Sequence, residues 1–170
     1  MYAEYMPDRY NHDSVSNTDL LVEYLQKQGV SILSPKEELL EIHLDKQLYY
    51  TYDSHWNQLG AYLGVKKLMD FWGIPMEELK EREITSYELK ENYHEGAWGD
   101  LAHMAGLNYI FEDETEYQVE GTIQIDWNQY AAEQFSKQLS CYVNENAKIE
   151  KKIFLIGDSF RTAMIPALCE

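Results

Sequence analysis

At 170 residues, with 45% hydrophobic, 14% aromatic and 26% charged positions, the chain has the size and composition of one globular domain with a real core. Its formal net charge of -16 argues against a nucleic-acid partner, whose phosphates it would repel. The same charge disfavours anionic membranes and polyanionic substrates except at a locally basic site, although an acidic surface also simply keeps a protein in solution. No stretch approaches about 18 apolar residues, and no charged-then-apolar leader opens the chain. It begins and ends abruptly, so it reads as a fragment of a longer chain, truncated at both ends.

Residues 1–17 are polar and irregular and read as a loop. Asn17 or Thr18 is placed to cap a helix over Leu20, Leu21, Tyr24 and Leu25 that Gly29 ends. Val30–Leu33 reads as a short strand. Ser34-Pro35 followed by Glu37 and Glu38 is a helix start, with acids near the positive end of the dipole. Leu48–Tyr52 is the next expected strand. Asn57 then caps a helix whose apolar positions are Leu59, Tyr62, Leu63, Leu68, Met69 and Trp72, closed by Gly73 and Pro75.

Met76–Arg82 reads as a short charged helix, and Gly99–Gly106 as one or two capped turns. Tyr117–Trp127 alternates apolar and polar residues around Gly121, a hairpin signal. Asn128–Leu139 has weaker helical character. Ile153–Ile156 is a continuous apolar run of the kind found in a central strand covered on both faces, followed by a helical pattern that Pro166 disturbs. The whole is an α/β pattern, a sheet flanked by helices with an inserted β-hairpin. The two cysteines, Cys141 and Cys169, are too few for a disulfide framework and match no metal spacing; one bridge or two thiols both fit.

The chemistry concentrates at two strand ends. Asp53 and His55 stand two residues apart after Leu48–Tyr52, so in extended backbone they point to one side. Ser159 follows Ile153–Ile156 in Gly157-Asp158-Ser159-Phe160, at an expected strand-to-helix turn. Ligand sites of α/β sheets lie beyond the carboxyl ends of strands, so both blocks fall on one rim. A serine hydroxyl needs a base to become a nucleophile, which His55 supplies, while Asp53 orients the imidazole. The Ser159 backbone N–H, at a helix start, is suited to hold an oxyanion. These features together describe acyl transfer through an acyl-serine. Each also has an ordinary reading: Asp-x-His as a turn, Gly-Asp-Ser as turn chemistry, Asp158 as a helix cap.

Gly157-Asp158-Ser159-Phe160 resembles the nucleophile block of SGNH (GDSL-like) hydrolases. Asp53-Ser54-His55-Trp56, with Asn57 and Gly60-Ala61, resembles the DHHW family and the related alginate O-acetyltransferase group (AlgJ and AlgX type). In that group the Asp-x-His block precedes the serine block, as here, whereas ordinary SGNH hydrolases place it after the serine. Gly99-Asp100-Leu101-Ala102 resembles a segment found between the two blocks. Ser54 replaces the second His of the DHHW name. The resemblance implies a single SGNH-like domain over residues 1–170, with Ser159, His55 and Asp53 catalytic. The Gly and Asn that complete the SGNH oxyanion hole have no clear match; Gly99 and Asn108 are the candidates. Trp56, Arg161 and Trp98 are candidate substrate contacts, against ordinary readings as core aromatics and an exposed arginine.

No cofactor is expected. His94, Glu95 and His103 match no metal motif. The family implies an extracytoplasmic cell-envelope location, a glycan acceptor, an acyl donor and a membrane-bound acyl-transfer partner. Three functions remain open: a polysaccharide O-acetyltransferase, a carbohydrate esterase using the same triad, and a non-catalytic glycan-binding or envelope-assembly module.

Overall fold

The computed structural model describes residues 15–76, 79–84, 99–107, 111–119, 126–128, 141–143 and 149–169. Asn108, Trp98, His94 and Glu95 lie outside them, as do most of the expected Asn128–Leu139 helix and the centre of the expected hairpin.

Helix α1 (Asn17–Lys27) is capped by Ser16, one residue before the first of its expected caps, because Ser16 and Asp19 form a capping box: the Asp19 N–H donates to Ser16 Oγ, and the Ser16 N–H to Asp19 Oδ2. Gly29 lies just beyond, at φ 76°. Helix α2 (Lys36–Ile42) follows Pro35 and carries Glu37 and Glu38 in its first turn.

Helix α3 (Gln58–Trp72) is the centre of the core. Asn57 caps it, accepting the Gly60 N–H on Oδ1 at 3.0 Å and donating from Nδ2 to the Gln47 carbonyl at 2.7 Å. Gly73 closes it in the left-handed region at φ 68°. Its Leu59, Tyr62, Leu63, Val65 and Met69 pack with Leu39 of α2, Leu48, Tyr117 and Ala167. Leu48 and Val65 are fully enclosed, and each such aliphatic side chain contributes roughly 1.5–3 kcal/mol on burial. The helix also admits backbone: a Cβ added at Gly60 would stand 2.6 Å from the Leu48 carbonyl oxygen and 2.9 Å from Trp56 Cβ. Gly60 therefore lets the segment before the Asp-x-His block lie directly on α3.

The sheet departs from the sequence expectation. Among the described residues there are two separate antiparallel pairs: β1 (Leu79–Ile84) with β2 (Glu114–Val119), and β3 (Asp126–Asn128) with β4 (Cys141–Val143). The charged stretch expected to be helical through Arg82 is thus largely strand β1. Leu79 pairs with Val119, and Ile84 with Glu114, so this ladder spans the intervening chain. The arms of the expected Tyr117–Trp127 hairpin pair instead with partners distant in sequence, β2 with β1 and β3 with β4.

The expected parallel strands form no ladder among the described residues. Val30–Leu33 and Ile153–Ile156 are irregular, and Leu48–Tyr52 retains one bridge, Tyr49 with Trp56. A strand needs a neighbour for its N–H and C=O groups, and an apolar run without one stays uncovered: Phe154 is 80% and Ile156 83% exposed. Buried Glu116 on β2 joins the pieces, accepting the Tyr50 O–H and the Gln58 N–H at the start of α3. Helix α4 (Asp100–Ala105) runs between Gly99 and Gly106. A 3-10 segment, Ser159–Met164, leads into helix α5 (Ile165–Leu168), where Pro166 sits in the first turn and so starts a helix rather than disturbing one.

Gly60→Ala should lower the melting temperature, since its methyl meets backbone that cannot rotate away; overpacking of this kind costs about 1–3 kcal/mol. Gly29→Ala leaves open space around its Cβ and carries only the cost of a positive φ. A thermal melt in which Gly60→Ala is the milder change would contradict this account of the α3 contact.

Candidate active site

Asp53, Ser54 and His55 occupy a loop whose ends are closed by the Tyr49–Trp56 bridge and by the Tyr50 N–H donating to the His55 carbonyl at 3.2 Å. The Asp53–His55 pairing does not come from strand alternation. Asp53 Oδ1 accepts the His55 backbone N–H at 2.9 Å, an Asx-turn bond two residues on, and lies 2.5 Å from His55 Nδ1. The turn aims the ring and the carboxylate orients it. A carboxylate only accepts, so Nδ1 carries the proton and Nε2 is left as an acceptor.

Nε2 lies 2.6 Å from Ser159 Oγ, across 104 residues of sequence, so the hydroxyl donates to it. The structure thus brings together the three residues singled out at the two strand ends. Exposure falls along the chain of bonds, from exposed Ser159 through His55 at 30% to Asp53 at 12%.

The second oxygen of Asp53 is held by the start of α4. Oδ2 accepts the Gly99 N–H at 2.8 Å and the Asp100 N–H at 3.2 Å, while the N–H groups of Leu101 and Ala102 both donate to the Tyr52 carbonyl at 3.1 Å. Burial pushes the Asp53 carboxyl up, but the bonds from the His55 N–H and ring and from the Asp100 and Gly99 N–H groups outweigh it and hold its pKa below the ordinary carboxylate value. Gly99, one of the two candidates for the oxyanion hole, directs its N–H to Asp53 and so supports the carboxylate. Its left-handed backbone, φ 84°, turns that N–H inward.

The serine block is shaped locally. Asp158 caps the 3-10 segment by accepting the Phe160 N–H at 3.0 Å. Among the described residues nothing accepts the Ser159 N–H, which keeps it available to an anion beside Oγ. Arg161, a candidate substrate contact, folds back over Gly157, and its Nη1 donates to the Gly157 carbonyl and, at 2.9 Å, to the Asp158 carbonyl. It braces the turn that carries Ser159. Trp56, a candidate substrate contact, donates Nε1–H to the Phe160 carbonyl at 2.9 Å and lies over Gly64. Phe160, not singled out by sequence, lies tilted against the His55 ring at 4.9 Å and edge-to-face with that of Trp56 at 5.7 Å. Such aromatic pairs contribute about 0.5–1.5 kcal/mol beyond their area. Trp56 and Phe160 therefore join the two blocks.

Asp53, His55 and Asp100 also place three potential ligand atoms within 4.8 Å of one another. N–H donors already face the Asp53 oxygens there, and His55 Nδ1 is itself a proton donor, so the arrangement favours hydrogen bonding over a cation.

The family model described as "SGNH hydrolase-like domain, acetyltransferase AlgX" matches residues 1–164. The chain belongs to this family. Within the AlgX-type SGNH family, this member is similar in fold to the crystal structure of a DHHW family protein from Eubacterium siraeum DSM 15702, with 18% identity and a TM-score of 0.51. The match covers 98% of this chain and 62% of that one, so this SGNH-like chain spans under two thirds of the length of the DHHW protein. Curated proteins give no match.

Asp53→Asn tests the carboxylate. The amide can accept on one side only, so it cannot serve the His55 proton and the Gly99 and Asp100 N–H groups together. The expected result is a kcat loss of orders of magnitude, far larger than the accompanying fall in melting temperature at neutral pH accounts for. The depressed Asp53 pKa also sets a sign. The folded state favours the charged form, so its stabilisation is present above the unfolded value of about 3.9 and is lost as pH falls through the lower folded value. Acid denaturation curves of wild type and Asp53→Asn should therefore diverge above that range and converge below it; parallel curves would remove Asp53 as a contributor.

Proposed function

We propose that the chain transfers an acetyl or similar acyl group onto a hydroxyl of a cell-surface polysaccharide or related glycan through an acyl-serine intermediate. The observation that carries this reading is the 2.6 Å contact between Ser159 Oγ and His55 Nε2, with Asp53 on the opposite ring nitrogen.

Ser159 Oγ attacks the acyl carbonyl as its proton passes to Nε2, and Asp53 stabilises the imidazolium. The carbonyl oxygen becomes an oxyanion beside the Ser159 N–H. Collapse breaks the acyl–leaving-group bond, and the leaving oxygen takes the proton from Nε2. An acceptor hydroxyl then gives its proton to Nε2 and attacks the acyl-serine, releasing the acylated glycan and restoring the Ser159 hydroxyl. Exposure of Ser159 suits a bulky acceptor. The net charge of -16 suits an uncharged acceptor better than a polyanion.

Membership of the AlgX-type family supports transfer over hydrolysis and an extracytoplasmic site of action; a membrane-bound acyl-transfer partner is part of the same proposal. No described helix is long and apolar enough to cross a membrane. The esterase reading differs only in that water, rather than a sugar hydroxyl, reaches the acyl-serine.

On a small activated acetyl ester, the wild type should release the leaving group and become acetylated at Ser159. Ser159→Ala and His55→Ala should each lose at least about 10³-fold in kcat. Adding a neutral oligosaccharide acceptor should divert acetyl from water to sugar, read by mass spectrometry. Equal turnover by wild type and Ser159→Ala would sink the catalytic reading; turnover with no acetylated sugar would favour the esterase.

A further inference from the structure

The Asp-x-His block has a residue between its two functional members, and that residue is gripped from outside. The Ser54 N–H donates to Asp100 Oδ1 at 2.6 Å, and the Ser54 hydroxyl donates to Asp100 Oδ2 at 2.5 Å. Both oxygens of one carboxylate thus close on one residue, 46 positions earlier in the chain. The Asp100 N–H in turn donates to Asp53 Oδ2. Asp100 Oδ2 stands 3.9 Å from His55 Nδ1, too far for a hydrogen bond, so it does not compete with Asp53 for the ring proton.

We propose that Asp100 is a positioning residue for the catalytic base, a bidentate clamp on Ser54 that holds the Asp53–Ser54–His55 turn in the one conformation that presents Nε2 to Ser159. This rests on the acyl-serine reading above and adds a residue to it. The ordinary alternative is that Asp100 is only an acid in the first turn of α4, complementing a short helix dipole. The geometry argues otherwise, because neither carboxylate oxygen turns back to the helix's own N–H groups, which are taken by Asp53 and Tyr52. The peptide linking Asp53 to Ser54 carries the clamped N–H, so its orientation sets both the Asp53 carboxylate and the start of the path to His55. An error of an ångström in Nε2 is enough to lose a large part of the rate. Ser54 also gives a chemical reason for the hydroxyl at the position where the DHHW pattern has a second His: it supplies the donor for the second oxygen.

The test uses three variants, with kcat and KM on the activated acetyl ester, the melting temperature, and the low-field NMR resonance of the His55 Nδ1 proton, assigned by its loss in His55→Ala. Asp100→Ala removes the clamp and should lower kcat by about 10²-fold, the size seen when a supporting hydrogen bond to a working side chain is lost. KM should stay within about twofold, and the His55 resonance should move or broaden. Asp100→Asn keeps the shape, since its carbonyl accepts the Ser54 N–H and the Ser54 hydroxyl can rotate to accept from the amide. It should recover most of kcat and keep the wild-type resonance, which a helix-dipole role, depending on charge, would not allow. Ser54→Ala removes only the second bond and should cost several-fold in kcat; it decides the matter if Asp100→Ala does not fold. An Asp100→Ala protein with wild-type kcat or an unmoved resonance overturns the proposal, as does Ser54→Ala with both unchanged. If the wild type itself shows no turnover, the acyl-serine reading fails, while the resonance still reports on the clamp.

Discussion

A carboxylate has two oxygens, and at Asp53 each serves a different part of the chain. Oδ1 takes the His55 backbone N–H and faces its ring, while Oδ2 takes the N–H groups of Gly99 and Asp100. The geometry of the site follows from that division. If Oδ2 were free, the carboxyl could rotate and the imidazole would lose its orienting partner. If Oδ1 were free, α4 would still dock on the loop but would orient nothing. Charge-assisted bonds from N–H groups are about twice as strong as neutral ones, and this places an ionised carboxylate where burial alone would disfavour it.

The two halves of the site are joined by packing rather than by a common sheet. The loop carrying His55 rests on α3 through the bare backbone of Gly60, and the Trp56 ring lies over Gly64. Trp56 then reaches the Phe160 carbonyl with its indole N–H, and the Phe160 ring leans on the imidazole. The serine turn is therefore registered against His55 by the indole hydrogen bond of Trp56 and by the ring contacts of Phe160 with His55 and Trp56, beside the Ser159–His55 contact. Arg161 contributes from the other side by holding the Gly157 and Asp158 carbonyls. Such a site depends on small residues on α3 as much as on its polar members.

Under the proposed function, transferase and esterase would share every step up to the acyl-serine and would part only in what approaches it. The buried end of the bond chain at Asp53 and the exposed end at Ser159 leave the choice of acceptor to the surface around Ser159. The family places this chain among acetyltransferase-type SGNH proteins, and the Asp53–His55–Ser159 geometry is compatible with either outcome.

What could be read from the amino acids alone was what the chain decides within a few residues. Asn57 and Gly73 bound α3, and Gly106 closes α4, because capping bonds reach no further than a turn. Asp53 and His55 were legible as neighbours because they are two apart, although an Asx turn rather than a strand makes the pairing. Ser159 was legible from its place in Gly157-Asp158-Ser159-Phe160 after an apolar run. The tertiary structure alone decided the rest. The stretch through Arg82, rich in residues that favour helices, became a strand because its ladder partner is Glu114–Val119, which no local pattern can announce. The Gly99 N–H was drawn to Asp53 rather than to an oxyanion, Arg161 turned onto its own backbone, and Asp100 closed on Ser54 from 46 residues away. A helix finds its hydrogen-bond partners within four residues, whereas strands, clamps and buried carboxylates find theirs wherever packing brings the chain back, and that depends on the whole fold.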